Sequence, residues 1–357
     1  MKHIFLESHN IDNLNFGFGQ FNYHLIKAMH EQPQLYEDFD ITINAKHTTS
    51  LKESFKNSFS YNTYSSISRH KPFRIKKKYD LWHSMNQNTK VEPFFDIPYL
   101  MTIHDVNFME EYTGDALIKR KKRFEKKLQR SNALVYISKY AQKMTHNYFD
   151  IPDIPEHVIY NGNPIIDTNI PESHQPKNTP SHPYIFSIGE FLEKKNFHTL
   201  VEMLVHLPEI HLVLAGKNTT NYAKDLQQLI EKHALRDRII ITGKISEVDK
   251  YYYYKNCLAF VFPSLREGFG IPPIEAMAFG KPVFLSDKSS LPEIGGPHAF
   301  YWEHFDPKYM ATVFQDGINR YSNDKENYQQ KYQQHAASYN WKNTAKKYME
   351  VYKELLS

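Results

Sequence analysis

One cysteine, Cys257, in 357 residues excludes an intrachain disulfide framework and suits a reducing cytosol. No uninterrupted apolar run reaches the roughly 20 residues a spanning helix needs. The opening MKHIFLESHNIDN turns polar too soon for the apolar core of a secretory signal. The chain is therefore expected to be cytoplasmic, at most peripheral to the inner membrane face. A formal charge of +4 is small for this length and gives a whole-protein role on nucleic acid no support. The histidines show no metal-ligand spacing, and no repeat is visible beyond a two-fold similarity of pattern.

What is present is alternation. Short apolar runs at 3–7, 39–43, 80–83, 98–104, 133–137 and 157–160 read as strands, with helical patterns at 18–30, 115–130 and 139–148 between them. A stretch rich in Pro, Asn, Ser and Thr follows, PIIDTNIPESHQPKNTPSHP, residues 164–183, which reads as a linker. The alternation then restarts, with strands at 184–188, 210–215, 238–241, 258–262, 282–285 and 298–302. Helices fall at 197–207, 222–233, 248–255 and 273–279. Ser246 followed by Asp249 marks a capping-box start. Strands separated by helices imply α/β architecture: two Rossmann-like, doubly wound domains facing across a cleft. The expected boundaries are 1–165 for the first domain, 166–183 for the linker and 184–340 for the second. A final helix at 341–357 is expected to pack back on the first.

The chemistry concentrates in PSLREGFGIPPIEAMAFGKPV, residues 263–283. It leaves the strand LAFVF, turns through Glu267-Gly268-Phe269-Gly270, and opens a short helix with Pro272 and Pro273. Proline is tolerated there because the first helical N–H groups lack partners anyway. Gly280 suits the stop of that helix. The loop glycines admit a ligand close to backbone N–H groups, and the helix start adds positive potential, which suits a diphosphate. Glu267 and Glu275 flank the device. For an arbitrary pair at this spacing, a solvated loop charge and a helix-start carboxylate are the ordinary explanation; inside strand, glycine loop, proline and helix, sugar and ribose contacts are the better one.

This segment resembles the signature of retaining glycosyltransferases of the GT-B fold, specifically glycosyltransferase family 4. Ordered along the chain, NFGFGQFNYHLIKAM, LMTIHD, VYISKYAQ, VIYNGNP, IFSIGEFLEKKNFHTLVEML and SLPEIGG are also similar to pieces of that family. The resemblance implies a hexosyltransferase that takes a sugar from a UDP- or GDP-linked donor without a metal or other cofactor and retains its anomeric configuration. The acceptor would be a glycan or a lipid-linked sugar, in surface-polysaccharide synthesis. By the same resemblance Glu267 contacts the donor sugar and Glu275 the ribose. Gly268, Phe269 and Gly270 line sugar and diphosphate. Lys195 neutralises the departing diphosphate, a role suited to a flexible ammonium after a strand-to-helix turn. Gly17 and Gly19 open the first helix and would admit phosphate from the opposite wall. His104, at the end of an apolar strand, is assigned to the donor sugar near the reacting carbon.

One position departs from the family pattern. Where an arginine commonly follows the glycine of FSIG, this chain has Glu190. A carboxylate about 6 Å from a phosphate would repel it by about 3 kcal/mol at an effective dielectric near 20. Glu190 is therefore expected to turn away or bind a hydroxyl, with Arg266 or Lys244 supplying positive charge. The basic run IKRKKRFEKKLQR, residues 118–130, places Phe124 and Leu128 on one helical stripe and is a candidate for lying on anionic lipid; a solvated face is the commoner explanation. Tyr251–Tyr254 read as core. Asp38-Phe39-Asp40 spells a metal motif of another architecture by chance. A nucleotide-sugar epimerase, a phosphorylase, and a non-catalytic sugar-nucleotide-binding protein are the competing functions.

Overall fold

The computed structural model describes residues 1–357 except Asn15, Ile166 and Glu172, so one residue of the NFGFG stretch and two of the expected linker lie outside the described residues. The chain divides into two compact units, Met1–Gly162 with Asn340–Ser357, and Asn163–Tyr339.

In the first unit seven strands form one sheet: β1 (Lys2–Glu7), β2 (Phe39–Ala45), β3 (Ser60–Thr63), β4 (Leu81–Ser84), β5 (Tyr99–Ile103), β6 (Ala133–Tyr136) and β7 (Glu156–Val158). Every pairing is parallel, in the order 3-2-1-4-5-6-7. Parallel strands are covered on both faces, which is why β4, β5 and β6 are buried along their whole length. The helices are α1 (Gly17–His30), α2 (Thr48–Phe55), α3 (Phe108–Glu111), α4 (Gly114–Arg130) and α5 (Lys139–Tyr148).

The second unit has β8 (Tyr184–Ile188), β9 (His211–Ala215), β10 (Ile239–Gly243), β11 (Ala259–Phe262), β12 (Val283–Ser286) and β13 (Phe300–Trp302). They too are all parallel, in the order 10-9-8-11-12-13. Its helices are α6 (Phe197–Leu204), α7 (Asn221–Lys232), α8 (Glu247–Asn256), α9 (Ile271–Ala278), α10 (Leu291–Gly295), α11 (Pro307–Asn323) and α12 (Lys325–Ser338). Ser246 caps α8 with the reciprocal Asp249 bond of a capping box. Each sheet reverses its winding once, between β1 and β4 and between β8 and β11. Doubly wound sheets bind ligands beyond the carboxyl ends of the strands at such a reversal.

The division between units falls at Gly162, ahead of the segment read as a linker. Among its described residues that segment has no helix or strand, and it lies along the second unit. Ile165 joins that unit's core, His174 pairs with Asp249 at 2.8 Å, and the Tyr253 hydroxyl donates to the Asn178 carbonyl. The last helix, α13 (Trp341–Leu356), belongs to the first unit. There Tyr352 hydrogen-bonds His83 at 2.7 Å and Tyr348 bonds Thr102 at 3.0 Å.

The basic helix α4 corrects one expectation. Phe124 and Leu128, the stripe considered for lipid, are buried in the first unit's core at 2% and 1% exposure. Lys127 between them is also buried, donating to Ser84 and Thr89 at 3.0 and 2.5 Å and facing Glu92 at 3.4 Å. That stripe is spent on the sheet and offers no apolar face to a membrane.

Candidate active site

The two loops beyond the switch-point strands of the second unit meet. After β8 the chain passes Gly189, makes a 3-10 turn at Glu193–Lys195, and enters α6 through Asn196 at a left-handed φ of 59°. After β11 it runs through Pro263 into the Glu267–Gly270 turn. Lys195 Nζ lies 2.5 Å from Glu267 Oε1, with both side chains largely buried at 14% and 16% exposure. The ammonium also sits 4.9 Å from the centroid of the Phe262 ring, a cation–π distance. Gly189 makes room for it, because a Cβ there would stand 3.2 Å from Lys195 Cε. Backbone bonds tie the two loops together: Leu265 N–H donates to the Lys194 carbonyl at 2.8 Å, as does the Ser264 hydroxyl at 3.1 Å.

The Glu267–Gly270 turn is held from below by the start of α10. Glu267 N–H donates to Ser289 Oγ at 3.1 Å. The Ser290 hydroxyl is shared between the carbonyls of Glu267 and Phe269, at 3.0 and 2.6 Å. Phe269 is buried; Arg266 and Gly268 are half-buried in the same turn. Gly270 takes a φ of 115°, strained for any residue with a side chain, and a Cβ would press on Leu291 at 3.0 Å. It delivers the chain into α9, with Pro272 and Pro273 in the first turn.

Glu275 faces inward at 4% exposure. Its Oε1 accepts from Lys250 Nζ and its Oε2 from the Tyr254 hydroxyl, each at 2.8 Å. Lys250 also reaches Glu247 at 2.9 Å. Burial pulls the Lys250 ammonium down, but the two carboxylates outweigh it and hold its pKa above the ordinary lysine value. Burial, then the Glu275 charge, pushes the Tyr254 phenol well up. Lys250 and Tyr254 lie four apart on α8 and so share a face; this spacing was the available signal, and sequence reasoning assigned Tyr254 to plain core packing and passed over Lys250. It gave no role to Gly189 or Ser290, although both lie in stretches matched to the family, and none to Ser289; all three act by loop packing, which their residue types do not signal.

Glu190 is accounted for without a ligand. Its carboxylate pairs with Lys217 at 2.9 Å, so the negative charge has a local partner at the β9 exit. Lys244 is exposed.

In the first unit His104 follows β5 and is 5% exposed. Its Nε2 is 3.0 Å from the Met85 carbonyl and its N–H donates to Gln87 Oε1 at 3.1 Å. A carbonyl only accepts, so Nε2 carries the proton and Nδ1 of the neutral ring is the free acceptor. Phe18 and Phe21 meet the ring edge-on at 4.8 and 4.7 Å. Burial lowers the pKa to about 4, the Met85 bond opposing it, so the ring is neutral at pH 7. Gly17 has open space around it, whereas a Cβ on Gly19 would stand 2.0 Å from the Asn13 carbonyl oxygen. Gly19 is thus required by packing. Asp40, half of the D-x-D sequence, is engaged by His3 and Ser60. No group of three or more His, Cys, Asp or Glu side chains among the described residues is placed to hold a metal.

With this geometry in hand, comparison with known proteins is decisive for the second unit: residues 169–339 match the family model described as Glycosyl transferases group 1. HepE of Anabaena, solved in complex with UDP-glucose, superposes with a TM-score of 0.71 at 16% identity over 99% of this chain and 100% of that one. The second unit is a group 1 glycosyl transferase domain, and the whole chain has the GT-B fold. Among curated relatives of this group 1 domain, the O-antigen chain mannosyltransferase RfbU of Salmonella typhimurium is 30% identical over 146 residues, 39% of this chain and 41% of that protein. The serotype-specific mannosyltransferase WbdA of Escherichia coli is 31% identical over 183 residues, 48% of this chain and 22% of that protein. The chain therefore spans about two-fifths or less of the length of these two relatives.

Proposed function

We propose that the chain transfers a mannosyl group from a nucleotide-diphosphate donor to a glycan or lipid-linked acceptor in surface-polysaccharide synthesis, with retention and without a metal. The observation that carries the reading is the Lys195–Glu267 pair at the carboxyl ends of the switch-point strands, beside a helix opened by Gly270 and two prolines. The mannosyl assignment draws on the names of RfbU and WbdA.

In this mechanism the bond between the sugar's anomeric carbon and the diphosphate breaks, and its electron pair leaves on the phosphate oxygen. Lys195, the backbone N–H groups of Gly270 and Ile271 ahead of the two prolines, and the dipole of α9 stabilise that charge from a site preorganised in its loops. Glu267, freed from Lys195 as the ammonium turns to phosphate, accepts from a sugar hydroxyl. The acceptor hydroxyl attacks on the face being vacated, and its proton passes to the leaving phosphate. Glu275 retains lone pairs for ribose hydroxyls beyond those used by Lys250 and Tyr254. His104, neutral and with its Nε2–H held by the Met85 carbonyl, accepts a hydrogen bond from a hydroxyl through Nδ1; at pH 7 it lacks the second proton that an imidazolium would give as a general acid.

The test is turnover of a panel of GDP-mannose, UDP-glucose and UDP-N-acetylglucosamine with and without EDTA, the product's anomeric configuration being read by NMR. Fastest use of GDP-mannose, indifference to EDTA and an α-linked product are expected. Inverted product, or donor epimerised or phosphorolysed without transfer, overturns the reading.

A further inference from the structure

The first unit carries a second feature with no part in donor chemistry. Residues 66–79 hold six basic side chains and no acidic one. Within that stretch Phe73 is 55% exposed, and across the isolated bridge between Ile75 and Pro93 stand Phe94 and Phe95, exposed at 45% and 37%. The two latter rings meet edge-on at 5.1 Å. Lys76 lies 5.5 Å from the Phe94 ring and Lys78 6.0 Å from Phe95, so charge and aromatic surface are interleaved. The segment is pinned: Phe94 N–H donates to the Ile75 carbonyl at 3.3 Å, and Arg130 donates to the Phe95 carbonyl at 2.9 Å. The neighbouring Glu92 is occupied by Lys127 and Arg130, which leaves Asp96 as the exposed acid beside the rings.

Exposed phenylalanines are costly in water unless something covers them. Rings at the tip of a pinned loop, surrounded by lysines with long apolar stems, match an anionic bilayer, whose headgroups take the ammonium groups while the rings enter the interface. A nucleic acid would satisfy the lysines as well, but the Phe94 and Phe95 rings meet edge-on and do not form the parallel platform on which successive bases stack. We propose that the surface formed by residues 73–78 and 94–95 docks the protein on anionic lipid, in place of the α4 helix whose Phe124–Leu128 stripe is buried. Lipid docking here requires nothing of the group 1 domain.

Vesicle flotation and tryptophan emission test this on the full chain. Phosphatidylglycerol-containing vesicles should carry the protein and pure phosphatidylcholine vesicles should not. Each neutralised lysine should cost about fivefold in partitioning at low salt, so Lys76→Gln/Lys77→Gln/Lys78→Gln should lose about a hundredfold. Phe94→Ser/Phe95→Ser should lose about tenfold or more. The triple change Lys119→Gln/Lys122→Gln/Lys126→Gln on the exposed face of α4 should lose less than the loop triple. Phe95→Trp should shift its emission to the blue and be quenched by brominated lipid, a readout that does not depend on loss of function. Absence of flotation, no emission shift, or a larger loss from the α4 variant than from the loop variant overturns the proposal. So does a loop that binds single-stranded RNA more tightly than anionic vesicles.

Discussion

Glu275 is the residue at which a functional and a structural role compete most directly, and the competition can be resolved. In Glu275→Ala the Lys250 ammonium, 10% exposed, loses its buried partner and keeps only Glu247, whose side chain is 66% exposed. The Tyr254 hydroxyl, in a fully buried side chain, loses its acceptor as well. Removing one member of a buried pair costs about 3–5 kcal/mol, and Glu247 places this case at the lower end. At about 2–4 °C per kcal/mol for a unit of this size, the second unit should melt about 6–12 °C earlier. A raised donor KM in that variant would then mix loss of a ligand contact with loosening of the site.

Replacing the whole network separates the two. Lys250→Met/Glu275→Leu/Tyr254→Phe removes every polar atom together, and such swaps are often neutral or stabilising. The triple variant should melt near the parent while its donor KM rises about tenfold, the loss of one charge-assisted hydrogen bond of about 1.5 kcal/mol. Differential scanning calorimetry and steady-state kinetics on the same preparations make the comparison. A triple variant with a normal KM would refute the ribose role. Glu275→Ala melting within about 1 °C of the parent would refute the burial argument behind the estimate.

Four further outcomes follow from the same structure. Lys195→Ala should lower kcat about a hundredfold or more with a smaller change in KM, because in the proposed mechanism the charge it meets grows in the transition state; equal loss in both would mark it as a ground-state binder. Gly19→Ala should destabilise the first unit through its 2.0 Å approach to the Asn13 carbonyl, while Gly17→Ala should be neutral in a thermal melt. The first unit should lose stability as pH falls from about 6.5 through about 4 and about 3, because His104 and His83 are held neutral by burial, His104 adding its Coulombic repulsion at His83. Their folded pKa values lie below the unfolded one, so the stability they contribute is present above 6.5 and vanishes on acidification; circular dichroism with a flat signal down to pH 4 would contradict it. The second unit should weaken above about pH 10, where the raised pKa values of Lys250 and Tyr254 mean that the folded state holds its protons more tightly than the unfolded chain.

Much of the fold was legible because parallel strands buried on both faces announce themselves as apolar runs. The strand expected at 184–188 and the helix expected at 139–148 coincide with β8 and α5. The Ser246 cap was readable because its partner lies three residues away. What escaped is local polarity without local consequence. β3, SYNT, is an edge strand with no fully buried residue, so it has no apolar run to show. α12, KENYQQKYQQHAAS, buries only Tyr332 and Ala336 and has no stripe. In α4 the opposite error arose: the stripe of Phe124 and Leu128 was visible, but a helical stripe does not say whether protein or lipid covers it. Around the candidate site, the motif located the Glu267–Gly270 turn and Glu275. It could not show that Glu275 is gripped by Lys250 and Tyr254, since that contact joins α8 to α9 across 21 to 25 residues of sequence.

The Glu190 departure connects these levels. A carboxylate at the exit of β8 is tolerable beside the proposed phosphate site only if its charge is matched nearby, and Lys217 at the exit of β9 matches it at 2.9 Å. The adjoining backbone is fixed: Phe191 N–H donates to the Lys217 carbonyl, and Gly216, at a φ of 131°, packs so closely on Gly189 that a Cβ would stand 1.9 Å from its carbonyl oxygen. The pair is half exposed, so its strength in isolation is about 0–1 kcal/mol. Its weight lies in the choice of partner. If it exists to cancel the Glu190 charge, Lys217→Ala should raise donor KM, and Glu190→Gln added to it should restore the parent value. An additive loss in the double variant would mean that Glu190 itself touches the donor.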